Sequence, residues 1–428
     1  MNLGDPTPAG PPNSAPGLPP TPSQHVPQQT AAQVLRLVAG QVSIHGCMAG
    51  MRMAAPLWAL QQGYGALAVG FLLALFSLTQ VFLALPAGRY ADRHGLRRPV
   101  MLAIGAAMVG GALAAVLVNF YVLCLSALLM GGATGGASIA LQRHVGRAAH
   151  DASELRRVFS LLSIGPAVSN FLGPVCVGLL IDHAGVWLGG SAADRNGFVA
   201  AFALTALAPA LAWLAVRGTP ELPPVQAPAG TSTSAWPLLR EPLMRRLLFV
   251  NWLLSSCWDV HTFVVPVLGH ERGFSASVIG TILGGFAIAA ASVRVLLPLL
   301  ANHLREWAVV TSAMVITGVL FGIYPFMPSA WTMGICSVLL GLTLGTVQPM
   351  LMSTLHQITP HAQHGQAIAL RLMSINISSV LMPMVFGTAG VVVGVSVVFW
   401  TLGAMVGLGS QAAFKLRPKQ AVTPVEIA

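Results

Sequence analysis

The chain has 428 residues, of which 55% are hydrophobic and only 8% charged, and its mean hydropathy is +0.74. Soluble domains carry about a quarter of their residues as charges, so this composition excludes a soluble globular protein and points to a membrane. Lys and Arg number 22 against 12 Asp and Glu, a net +10. That excess reads as loop topology, since no loop joins a basic run to stacking aromatics and no nucleic acid partner is expected.

Residues 1–33 are rich in Pro, Gly, Ser and Gln and lack the apolar core of a signal peptide, so they read as a disordered cytoplasmic tail. Beyond them, apolar segments near the roughly 20 residues needed to cross a bilayer recur at 34–58, 67–87, 99–118, 120–141, 159–181 and 197–216. A Pro-rich, Arg-rich cytoplasmic linker at 217–246 follows. Six more segments come after it, at 247–268, 277–300, 307–326, 330–354, 365–389 and 391–413, with a cytoplasmic tail at 414–428. The expected fold is an all-α polytopic membrane protein of twelve transmembrane helices in two pseudo-symmetric six-helix halves, 34–216 and 247–413. Most Lys and Arg fall in alternate loops, which puts both termini in the cytoplasm and the basic loops against anionic lipid headgroups.

An ionisable residue inside a lipid-spanning helix marks a functional site by default. In the first helix Gln41, His45, Met48 and Arg52 follow helical spacing and share one face. His45 alone suits packing, whereas His45 with Arg52 suits a cavity. The fourth helix repeats the pattern weakly with Thr134, Ser138 and Gln142. In the seventh, Asn251, Ser255, Asp259 and Thr262 form a polar stripe beside Trp258, and Asp259 is the acid central to a helix. Lipid cannot satisfy such a stripe, so it faces protein or water. The tenth helix offers Ser337, Gly341, Gly345 and Gln348, followed by Met352. Arg294 reads as a snorkelling anchor, and Arg371, on a face with Ser374 and Ser378, as either an anchor or a cavity or gate residue.

The five cysteines lie inside predicted helices without metal spacing, and His356, His361 and His364 fall in a loop without acidic or thiol partners, so no metal or other cofactor is expected. A glycine-rich nucleotide loop with a Lys is absent, which argues against ATP-driven pumping. The acids are scattered rather than clustered near an interface, which argues against an enzyme.

Between the second and third helices, Gly88, Asp92, Arg93, Gly95, Arg97 and Arg98 carry the spacing G-x-x-x-D-R-x-G-x-R-R. This resembles the signature loop of the major facilitator superfamily. A degenerate echo, Ala301-Asn302-His303, follows the eighth helix as Ala91-Asp92-Arg93 follows the second. Gly173, Pro174 and Gly178 in the fifth helix, after Gly165 and Pro166, resemble the helix-kink motif of that family's proton-driven exporters. The resemblance covers about residues 34–413. It implies alternating access between the halves, an inner gate at Gly88 to Arg98 whose arginines pair across the halves, and a central cavity lined by the first, fourth, seventh and tenth helices.

The expected function is secondary transport of a small organic molecule across a bacterial inner membrane by a monomer, similar to drug or metabolite:proton antiporters. Proton-coupled efflux is the first expectation and uptake by symport the alternative; a polytopic sensor or enzyme is a more distant one. Asp259 is the candidate for proton coupling. Gln41, His45, Arg52, Asn251, Ser255, Trp258, Gln348 and Arg371 are the candidates for the substrate cavity. Arg52 and Arg371 outweigh the lone Asp259, favouring an anionic substrate held by Arg52. The competing account pairs Arg52 with Asp259 in a structural ion pair.

Overall fold

A computed structural model describes residues 31–148, 152–187, 189–222, 236–300, 305–359 and 364–417. Most of the expected N-terminal tail, positions 223–235 of the linker and the chain from 418 lie outside these, as do the Ala301 to His303 echo, His361 and the side chains of Asp92 and His364. Apart from its turns the described chain is helical: α1 (Ala31–Gln61), α2 (Ala66–His94), α3 (Arg97–Val116), α4 (Phe120–Ala148), α5 (Ala152–Trp187), α6 (Arg195–Leu207), α7 (Ala210–Val216), α8 (Pro242–Glu271), α9 (Ala276–Leu300), α10 (Glu306–Ile323), α11 (Ala330–Ile358), α12 (His364–Val393) and α13 (Val395–Phe414).

Several helices outrun the apolar segments expected for them. α5 has 36 residues and α8 has 30, because an apolar run marks only the part that meets hydrocarbon while the hydrogen-bonded ladder continues into the polar ends. The expected sixth span is two helices in line. Pro209 lacks the N–H that would continue the ladder, so α6 ends at Leu207 and α7 starts at Ala210 within one span, Arg195–Val216.

Among the described residues, 11 spans are long and apolar enough to cross a membrane. The remaining long helix is α1. Gln41, His45 and Arg52 dilute its hydropathy, and it has little lipid to face, being packed against α2, α4, α5, α6, α7 and α8.

The packing repeats between the halves. α1 lies on α5, α2 on α4 and α3 on α6; in the second half α8 lies on α12, α9 on α11 and α10 on α13. The halves meet along two further pairs, α5 with α9 and α2 with α12, which exchange under the same correspondence.

In lipid, helices associate through close packing of small residues rather than by hydrophobic transfer, and both seams are built that way. On α5, a Cβ at Gly173 would lie 2.7 Å from the Gly50 nitrogen of α1, and Pro174 presents its carbonyl to Gly280 of α9. Gly178 meets Ala276 and Ser277 of α9, while on the other seam Gly70 of α2 meets Pro383 and Gly387 of α12. Gly173, Pro174 and Gly178 thus let α5 approach α1 on one side and the opposite half on the other.

The α2–α3 turn occupies the end that also carries Arg217, Arg246 and Lys415, here called the basic end. Gly95 closes α2 with φ +74 and ψ −144, a conformation that essentially only glycine adopts. α3 has no capping side chain of its own at Leu96. Glu221, beyond α7, supplies the cap: its carboxylate accepts from the backbone N–H of Leu96 at 2.8 Å and of Arg97 at 2.7 Å. Arg97 Nη2 donates to the Thr219 carbonyl at 2.9 Å, and Arg143 donates to the Gly88 carbonyl at 3.1 Å. Arg93 and Arg98 are exposed. These bonds run to Gly88 within the first half and to Thr219 and Glu221 at the start of the linker, and the expected pairing of the loop's arginines across the halves is not among them.

Candidate functional site

A cavity of about 750 Å³ lies between the halves. Its lining on α1 spans Gln41 to Arg52, well short of the helix end at Gln61, and extends to Gln142 near the end of α4 and Met352 near the end of α11. The cavity therefore occupies the basic half of the bundle. The named seam contacts (Gly178 with Ala276, Gly70 with Pro383) close the opposite half. At its inner end, Arg52, Asn170, Trp258 and Thr262 surround a further pocket of about 60 Å³.

Helical spacing explains the first wall. Gln41, His45, Met48 and Arg52 recur along one face of α1 and all four line the cavity. Opposite, Asn251, Ser255, Trp258 and Asp259 do so from α8, and Gln348 and Arg371 join from α11 and α12. Gln142 lines it from α4, with Gln80 and Asn170 added from α2 and α5.

Two expected faces turn differently. On α11, Ser337 points into its own half, where its hydroxyl meets His261 Nε2 at 2.9 Å and the Tyr324 hydroxyl at 2.8 Å. Gly341 and Gly345 are contacts for α9 backbone at Phe286 and Ala290. On α12 the lining face is Arg371, Ile375 and Ser379 rather than Arg371, Ser374 and Ser378.

Asp259 is held across the helix interface by α12. The Ser378 hydroxyl donates to Oδ2 at 3.2 Å, and Ser379 lies 3.0 Å from Oδ1 and 3.1 Å from Oδ2. Ser256 lies 3.0 Å from Ser378, extending the chain of hydroxyls. Arg52 is close enough for its charge to be felt at Asp259, yet no direct ion pair joins the two among the described residues. Serine hydroxyls make the hydrogen bonds at the carboxylate, and Arg52 acts on it through its charge.

Arg294, expected as an anchor at the membrane surface, instead lines the cavity, its guanidinium 5.7 Å from the centroid of the Trp258 ring and its Nε 3.4 Å from the Gly345 carbonyl. The Trp258 face attracts the cation into the bundle, which helix periodicity alone does not register. Arg371 is only 4% exposed, and its Nε and Nη2 have no hydrogen-bond partner. The same is true of Gln41 Oε1, His45 Nδ1 and Asn251 Nδ2. Buried polar atoms are normally satisfied, so these buried, unpartnered groups on cavity-lining residues are bonding capacity that a side-chain adjustment offers to an occupant. Among the described residues no cluster of His, Cys, Asp and Glu could hold a metal ion.

Two six-helix halves around a polar cavity, closed at one end, define a multi-pass membrane transporter fold. The sequence profile of the Major Facilitator Superfamily matches residues 37–275 and again 247–427, and the chain belongs to that family. The fold is shared with a POT family transporter solved in complex with a thioalcohol conjugated peptide (TM-score 0.74, 12% identity, 90% of this chain and 96% of that one). It is shared also with a mutant of the nucleoside transporter NupG (0.72, 13%, 90% and 100%) and with the human organic anion transporter MFSD10 (0.60, 16%, 90% and 100%). No curated protein matches the sequence. Membership of that family identifies a secondary transporter rather than an enzyme, and the solved structures share its fold.

Proposed function

We propose that the chain is a proton-coupled exporter of a small organic anion, working by alternating access in a bacterial inner membrane with the basic end in the cytoplasm. The observation that carries the coupling is the setting of Asp259. Among the described residues it is the one acid lining the cavity, and its partners are hydroxyls. A serine hydroxyl donates to a carboxylate and accepts from a carboxylic acid, so Ser378 and Ser379 serve both protonation states without leaving a group unpaired. Arg52, close but not bonded, favours the charged form, and an anionic occupant offsets that influence. Proton and substrate occupancy are thereby linked through one electrostatic environment, which is what coupling requires.

The orientation rests on the distribution of Lys and Arg. In the cycle proposed, substrate enters from the basic end, the seams of α5 with α9 and α2 with α12 part at the far end, and a proton reaching Asp259 from that side resets the protein. Gly88, Asp92, Arg93, Gly95, Arg97 and Arg98 then form the hinge side of the inner gate, held to the first half through Glu221.

Proteoliposomes with a trapped pH dye test this reading. An exporter dissipates an imposed proton gradient on addition of its substrate, in proportion to substrate moved against it. Uptake with the proton would instead mean symport, and transport indifferent to the gradient would remove proton coupling.

A further inference from the structure

Among the described residues, three guanidinium groups face the cavity, Arg52, Arg294 and Arg371, and one carboxylate, Asp259. They are not equivalent. Arg52 lies in the field of Asp259. Arg371 has Arg294 as its electrostatic neighbour, a like charge, and two of its nitrogens meet no partner. Arg294 in turn sits over the face of Trp258 with one long contact to a backbone carbonyl. Two cations that repel each other, inside a bilayer and beside an open volume, are an expensive arrangement unless something negative comes between them.

We infer that the anionic group of the substrate is bound by Arg371 together with Arg294, and not by Arg52, with an aromatic or other flat unsaturated part lying against Trp258. This rests on reading the cavity as the transport site and names its substrate class. Nε and Nη2 of Arg371, buried and without a hydrogen-bond partner, form one edge of the planar fork that fits the two oxygens of a carboxylate or phosphate, and meet them when the side chain turns toward the cavity it lines. Arg294 completes the charge from α9, and Trp258 supplies a broad apolar wall from α8. Asn251 lines the same cavity and its buried Nδ2 has no partner, which makes it a further donor within reach of a rotamer change. The volume of about 750 Å³ suits an organic anion of drug size rather than an inorganic ion.

The test uses the purified full-length protein in detergent and chloride-free buffer, with four matched probes: 2-naphthoate, 2-naphthyl phosphate, 2-naphthylmethylamine and 2-naphthamide. Affinity is read by titration calorimetry, and thermal unfolding is followed in parallel. The two anions should bind, the amine and amide should bind at least about tenfold more weakly, and Arg371→Gln and Arg294→Gln should each lower anion affinity by about tenfold or more. Arg371→Lys, which keeps the charge and loses the fork, should fall between. Without ligand, Arg371→Gln should unfold no earlier than the wild type, since it relieves a repulsion; a structural arginine would show the reverse.

The inference is overturned if the amine binds best, if neither anion binds, or if the Gln variants bind anions as the wild type does. Binding is measured without transport, so the two readings fail separately. A protein that binds 2-naphthoate through Arg371 but moves nothing in liposomes loses the transport assignment alone. One that exchanges protons for an amine loses this site alone.

Discussion

The carboxylate of Asp182, near the end of α5 in the first half, accepts a hydrogen bond from the backbone N–H of Ser277, in the first turn of α9 in the second half, at 2.7 Å. Its other oxygen accepts from Ala276 at 3.1 Å. The first N–H groups of a helix have no intrahelical partner and carry partial positive charge. One half of the protein thus caps a helix of the other, at the end opposite the cavity.

Asp182→Ala should weaken that seam by about 1 kcal/mol, the usual value of a lost N-cap, and raise the population opened at the far end by about fivefold. Spin-label distances between the far ends of α5 and α9 would report it. An unchanged distance distribution would show that the cap does not hold the closed state.

At the basic end, Glu221 caps α3 in the same manner, but from the start of the linker that follows the same half. Gly95→Leu would place a Cβ against the Glu221 carboxylate and force a side chain into a glycine-only conformation. The strain costs roughly 1–3 kcal/mol, with about 1 kcal/mol more for the cap, discounted for solvent exposure. Thermal unfolding should fall accordingly, and the transport cycle should slow more than substrate affinity drops. A large loss of affinity with normal turnover would contradict a gating role for this loop.

Arg52→Gln distinguishes field from bond. Because hydroxyls and not Arg52 complete the hydrogen bonding of Asp259, the single variant should fold and unfold like the wild type while proton-driven transport falls by about tenfold or more. Misfolding of Arg52→Gln that is rescued by adding Asp259→Asn would instead reveal a structural pair.

The all-helical bundle and much of the cavity wall are legible in the sequence because they depend on local spacing. Apolar runs mark the spans, and polar residues at i+4 steps on α1 and α8 mark faces that lipid cannot accept. Spacing does not say which neighbour a face meets. Ser337 reads as a cavity residue by periodicity, but His261 and Tyr324 claim it. Arg294 reads as an anchor, since the ring that draws it inward lies on another helix. Asp182 and Glu221 are invisible as caps, because the helices they serve begin 94 and 124 residues away in sequence.

The account stands most directly on Asp259. In proteoliposomes, Asp259→Asn keeps the shape and a partner for Ser379 but cannot exchange a proton, so substrate counterflow at equal pH should persist while accumulation driven by a pH gradient disappears. Full gradient-driven accumulation by Asp259→Asn would contradict the assignment of proton coupling to this carboxylate.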